Sequence, residues 1–172
     1  MSLVSEAREA DRAGRLEEAA DLYEKAVADG QPSLPELIDL ALLYWQVTDF
    51  GLSSANNLDP SFIERAGKRF PELLDQAQKA FPGSTEAFFW KKYIGWTDLG
   101  GELPSPEYCR DLLRRDPKTL VPAMHLFAQT AGKECRDEAF DLLRQCEEDP
   151  TCRCRYIISV LRGVLKRESA RR

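Results

Sequence analysis

Five cysteines and one histidine are the residues of this 172-residue chain best equipped to bind a metal, form a disulfide or pass a proton. The cysteines are Cys109, Cys135, Cys146, Cys152 and Cys154. Zinc sites draw thiolate and imidazole ligands from close pairs such as Cys-x-x-Cys. Cys135, Cys146, Cys152 and Cys154 offer no such pair, so the spacing argues against a metal and no cofactor is expected. Cys109 and Cys146 fall on apolar helical faces, where a free thiol acts as a small hydrophobe. Cys152 and Cys154 alternate with Arg153 and Arg155, and such cations favour the thiolate if the thiol is exposed. His125 lies beside no nucleophile motif, and a general base needs a nucleophile or an orienting carboxylate. Gly51 and Gly100-Gly101 are turn glycines rather than a phosphate-binding loop. The chain reads as a non-enzyme.

Aromatic side chains supply a different chemistry. Phe88, Phe89, Trp90, Tyr93 and Trp96 crowd one helical stretch and project around most of it, so one covered face cannot hold them all. Either a neighbouring segment covers the second side, or the rings remain exposed as anchors of the kind that dominate binding hot spots. Trp45 poses the same question.

The elements that hold these residues follow a rhythm. Helical patterns end at Pro32, Pro82, Pro117 and Pro150, leaving gaps of 50, 35 and 33 residues. Two gaps match one helix–turn–helix unit, and the first matches the same unit with an insertion. In the first unit Ala7 and Ala10 share a stripe, Ala13-Gly14-Arg15 breaks the chain, and Leu16, Ala19, Ala20, Tyr23, Ala26 and Val27 share the next face. Pro35 opens a strongly apolar helix through Trp45. Residues 49–59 read as an inserted loop, because Gly, Ser and Asn favour turns. Asp59 caps a helix to Ala80, which Pro71 is expected to kink or split. Ser84 and Ser105 cap the helices of the third unit. Helices over about 119–131 and 136–147 make the fourth, with Ala139, Leu142, Leu143 and Cys146 inward. A last helix runs from Thr151 to about Arg167.

The first unit resembles a tetratricopeptide repeat, through Gly14, Leu16, Ala19, Tyr23, Ala26 and Pro32. Its first helix departs from that pattern, with Leu3 and Ala10 where the family carries tryptophan and tyrosine. The match spans residues 1–34, and the rest shares only the hairpin rhythm. The resemblance implies an all-α, right-handed α-solenoid of about four hairpins plus a C-terminal closing helix, forming one domain over residues 1–168. A basic tail of residues 169–172 follows. It also implies a concave face lined by helices near 35–47, 85–98 and 119–131. Leu42, Trp45, Lys91, Lys92, His125 and Gln129 are expected to point into it and to bind a protein or peptide.

Charge supports a second reading. Residues 1–50 carry eleven acids against four bases, and residues 151–172 seven bases against Glu168. An acidic surface steers fast association with a basic target, so a dedicated inhibitor or immunity-type protein blocking one toxin or enzyme is the alternative. No aromatic-rich basic groove accompanies the arginines, which disfavours nucleic acid. No apolar run is long enough to cross a bilayer, and Met1 to Glu6 lack a signal-peptide pattern, so a cytoplasmic protein is expected.

Overall fold

Serines mark several helix starts. Ser2, Ser33, Ser84 and Ser105 each accept the backbone N–H of the third residue on, satisfying a donor that the first turn leaves open. The computed structural model describes residues 2–171, and among them it is all-helical. Its helices are α1 (Leu3–Arg12), α2 (Leu16–Ala28), α3 (Leu34–Val47), α4 (Phe50–Ala55) and α5 (Pro60–Ala80), then α6 (Thr85–Asp98), α7 (Pro106–Arg115), α8 (Val121–Gln129), α9 (Arg136–Glu148) and α10 (Cys152–Ser169). The chain forms two compact units, one of residues 1–82 with 151–153, the other of residues 83–150 with 154–172.

In the first unit α1 and α2 make the expected hairpin. Gly14 takes φ +74° at its turn, a conformation glycine adopts without a Cβ clash. Ala7, Ala10, Leu16, Ala19, Ala20, Tyr23 and Val27 are buried, while Ala26 is only half-buried. α3 packs against both α2 and α5, so it is buried almost all round. The insertion is not a plain loop. Asp49 accepts the N–H of Leu52 and starts the short helix α4. Pro71 does not split α5, which runs unbroken for 21 residues. The carbonyl that its ring meets belongs to Gly67, the most permissive residue for such an accommodation.

In the second unit α8 packs against α6, α7 and α9. It is shorter than expected at both ends. Asp116 holds Thr119 in a turn, accepting its hydroxyl at 2.6 Å, and Ala131 takes a left-handed φ of +51°. Ala139, Leu142 and Cys146 of α9 are buried, and Leu143 half-buried. α10 ends at Ser169, inside the expected tail, and Arg172 lies outside the described residues. No helix among the described residues is long and apolar enough to cross a membrane.

Candidate protein-binding surface

Helix α6 divides its aromatic residues between two sides. Phe89, Trp90, Tyr93 and Ile94 are buried. Phe88, Lys92, Trp96 and Leu99 recur at intervals of four, four and three, which places them along one stripe. Phe88 and Lys92 are half-buried, whereas Trp96 is 36 % and Leu99 57 % exposed. Both questions posed by the aromatic crowding thus resolve within one helix: neighbours cover one side, and the other reaches the surface.

The buried side supports the exposed one through ring contacts. Trp96 lies 5.7 Å from Tyr93 and 5.4 Å from His125, centroid to centroid. Tyr93 in turn meets Phe89 at 5.4 Å and shares a 2.6 Å hydroxyl–hydroxyl bond with Tyr156 of α10. Burial raises the pKa of both tyrosines, so they are neutral phenols at ordinary pH. His125 Nε2 lies 3.2 Å from the carbonyl oxygen of Pro104, which can only accept, so the proton sits on Nε2. Burial lowers the pKa of His125, the Pro104 bond opposes this, and the net shift is downward.

Gln129 donates to the same carbonyl at 3.1 Å. Two side chains of α8 therefore hold the loop that follows α6. Leu103, the residue before Pro104, is 48 % exposed on that loop. The loop is closed at its other end by backbone alone. Leu99 and Gly101 both donate to the carbonyl of Gly95, at 3.1 and 2.8 Å. A Cβ on Gly101 would lie 3.0 Å from the Gly95 backbone, a tight approach that the missing side chain of glycine relieves. On the α7 side, the Tyr108 hydroxyl donates to the Phe88 carbonyl, and the Lys92 ammonium lies 5.4 Å from the Tyr108 ring centroid.

The six expected contact residues divide accordingly. Lys91 is exposed and Lys92 half-buried in the stripe. Gln129 is half-buried and works beneath the surface. Leu42, Trp45 and His125 do not point outward as expected; all three are buried. For Leu42 and Trp45 the reason is that α3 has neighbours on two sides, and for His125 that Trp96 and Tyr93 cover it. Phe88 and Trp96, which the aromatic crowding singled out as candidate anchors, join the surface, together with Leu99 and Leu103, which no sequence reading proposed. The spacing of Phe88 and Leu99 to Trp96 was a readable signal, whereas Leu103 depends on the path of a loop.

The first unit holds a buried ionic cluster. Asp39 is 1 % exposed and pairs with Arg153 at 2.8 Å and Arg8 at 3.7 Å. Asp11, fully buried, accepts the backbone N–H of Cys152 at 2.7 Å. Gln46 donates to the Cys152 carbonyl at 2.8 Å. Burial, then the Asp39 and Asp11 charges, raise the pKa of Tyr23 beside them. These carboxylates hold residues 151–153 in place and present no reactive edge. Cys152 and Cys154 are buried, so the arginine-activated surface thiol does not arise. No family model matches the chain, and neither a curated protein nor a solved structure matches it.

Proposed function

We propose that this protein is a non-catalytic protein-binding module whose contact surface is the exposed stripe of α6 with the loop after it. The observation that carries this reading is the row Phe88, Lys92, Trp96 and Leu99, backed by a packed aromatic layer that leaves Trp96 little freedom to move. A fixed, half-exposed tryptophan loses little side-chain entropy on binding and can displace water over a large area. Lys91 and Lys92 lie towards one end of the stripe and Glu102 towards the other. That polarity suits a protein segment with apolar anchors, a carboxylate near the lysines and a base near Glu102. The reading is non-catalytic because His125 is committed to Pro104, and Asp11 and Asp39 to the 151–153 segment. It keeps the right-handed solenoid and the tetratricopeptide-like first hairpin as the expected scaffold, and a cytoplasmic setting.

The test uses the full chain as bait in host lysate, beside a Trp96→Ala/Leu99→Ser variant and a Phe50→Ser control. Phe50 is 84 % exposed in the first unit and plays no part in the stripe. A partner retained by the wild type and the control but lost by the double variant is the expected result. With that partner in hand, Trp96→Ala should weaken binding by about 2 kcal/mol, and charge reversal at Lys91 and Lys92 should slow association. Equal capture by all three baits, or capture by none, sinks the assignment.

One observation favours the second reading, a dedicated acidic inhibitor. Glu6, Glu9, Glu18 and Asp21 line an open groove on α1 and α2, with Arg15 and Lys25 among them. That reading requires a single partner whose association rate falls steeply with salt and is indifferent to Trp96→Ala.

A further inference from the structure

The end of α10 and the connection from α8 to α9 line a cleft of about 430 Å³ within the second unit. Val164, Arg167 and Glu168 share one face of α10, and the turn after the helix adds Arg171 to the same side. The facing wall begins with Ala128 of α8. The chain then turns through Ala131 and Gly132, whose left-handed φ of +51° and +85° bring Lys133 to the cleft. The one carboxylate in the lining is neutralised: Arg136 donates to both oxygens of Glu168, at 3.2 and 3.0 Å, and to the Gly132 carbonyl at 3.3 Å. Lys133, Arg167 and Arg171 are exposed, and among the described residues their side chains form no ion pair or hydrogen bond. Arg110, Arg114, Arg144 and Arg162 of the same unit each pair with an acid. Basic residues in the last turn of α10 complement the helix dipole, but Lys133 comes from a separate element and converges on the same space.

We propose that this cleft is a binding site for a small aliphatic phosphate monoester. Three unpaired cations around a neutralised carboxylate call for more negative charge than a single carboxylate brings. A phosphate monoester is a dianion above a second pKa near 6 and offers three strong acceptor oxygens. The guanidinium forks of Arg167 and Arg171 can each take two such oxygens, and the Lys133 ammonium adds a compact third charge. Ala128, Ala131 and Val164 give the carbon skeleton of the ester an apolar seat. The described lining holds no aromatic ring to stack on a base, so a polyol suits it better than a nucleoside. A cleft of this volume falls in the range of small-molecule sites. None of its residues belongs to the α6 stripe, so the two readings stand or fall separately.

The experiment titrates the full-length protein with glycerol 3-phosphate by calorimetry, at neutral pH and about 0.15 M salt, where distant surface charges are screened. The expected result is saturable binding of one ester per chain with a Kd below about 1 mM, and no saturation by glycerol or acetate. Lys133→Gln and Arg167→Gln, both at exposed positions, should each weaken binding at least about tenfold. Arg162→Gln removes the same charge from an exposed position of α10 outside the cleft, and should leave the affinity unchanged. Four results overturn the proposal. These are no saturation up to about 10 mM ester, equal weakening in all three variants, acetate binding as tightly as the ester, and retention on phosphatidic acid vesicles without binding of the soluble ester.

Discussion

His125 carries a different meaning from the one its sequence neighbours implied. On the helical stripe it read as an outward group; in the structure it is a buried strut between Trp96 and the Pro104 carbonyl. A strut of this kind has a pH signature. Its folded pKa lies below its ordinary value near 6.5, so the unfolded chain binds the proton more readily. Stability is therefore full above that ordinary value and falls as pH drops below it, by at most about 1.4 kcal/mol per pH unit. As the single histidine, it is well separated from the acids. The Arg110 bond lowers Glu134 and the Thr119 bond lowers Asp116, so both titrate at more acidic pH. Urea midpoints from pH 7 to 5 should decline for the wild type and stay flat for His125→Gln; parallel slopes would remove His125 from that role.

Helix ends were the most readable elements because their signals are local. A serine side chain reaches the third residue on, and a glycine accepts a positive φ, whatever lies elsewhere in the fold. Helix interiors and bends were less readable. Pro71 passes through α5 without a break, and α4 forms within the expected loop, because packing decides what a weak local preference leaves open. The turn after α6 shows a close approach that only structure reveals. Gly30 and Gly101 look alike in sequence, yet a Cβ on Gly30 meets nothing within 4 Å, and one on Gly101 meets the Gly95 backbone at 3.0 Å. Gly101→Ala is expected to cost about 1–3 kcal/mol by thermal or urea unfolding, and Gly30→Ala to stay within about 0.5 kcal/mol. Equal effects would mean that the turn relaxes.

At the scale of the whole chain, the first unit includes residues 151–153, far in sequence from its residues 1–82. Arg8, Asp11, Asp39 and Arg153 meet in its interior, and Asp39 with Asp11 is what receives the 151–153 segment. Removing one member of a buried ion pair leaves its partners desolvated and uncompensated, a loss larger than the pair's net contribution. Asp39→Ala is therefore expected to cost about 3–5 kcal/mol, with Asp39→Asn milder because an acceptor remains. Amide exchange should quicken in α1 and α3 as well as at residues 151–153. A loss confined to residues near 39 would show that the cluster does not act as a unit.

Some features were settled by sequence alone. Helical class, the caps at Asp59, Ser84 and Ser105, the first hairpin and the apolar faces of α2 and α9 follow from spacing, because short-range periodicity and capping do not depend on distant neighbours. Exposure does depend on them. Leu42 and Trp45 are as apolar and as periodic as Trp96 and Leu99, but α3 has helices on two sides and buries its pair, while Trp96 and Leu99 at the end of α6 stay exposed. The acids Asp11 and Asp39 looked like surface charge until Arg8, Arg153 and the Cys152 amide were brought to them. Contacts between residues far apart in the chain are set by tertiary packing, and no local pattern records them.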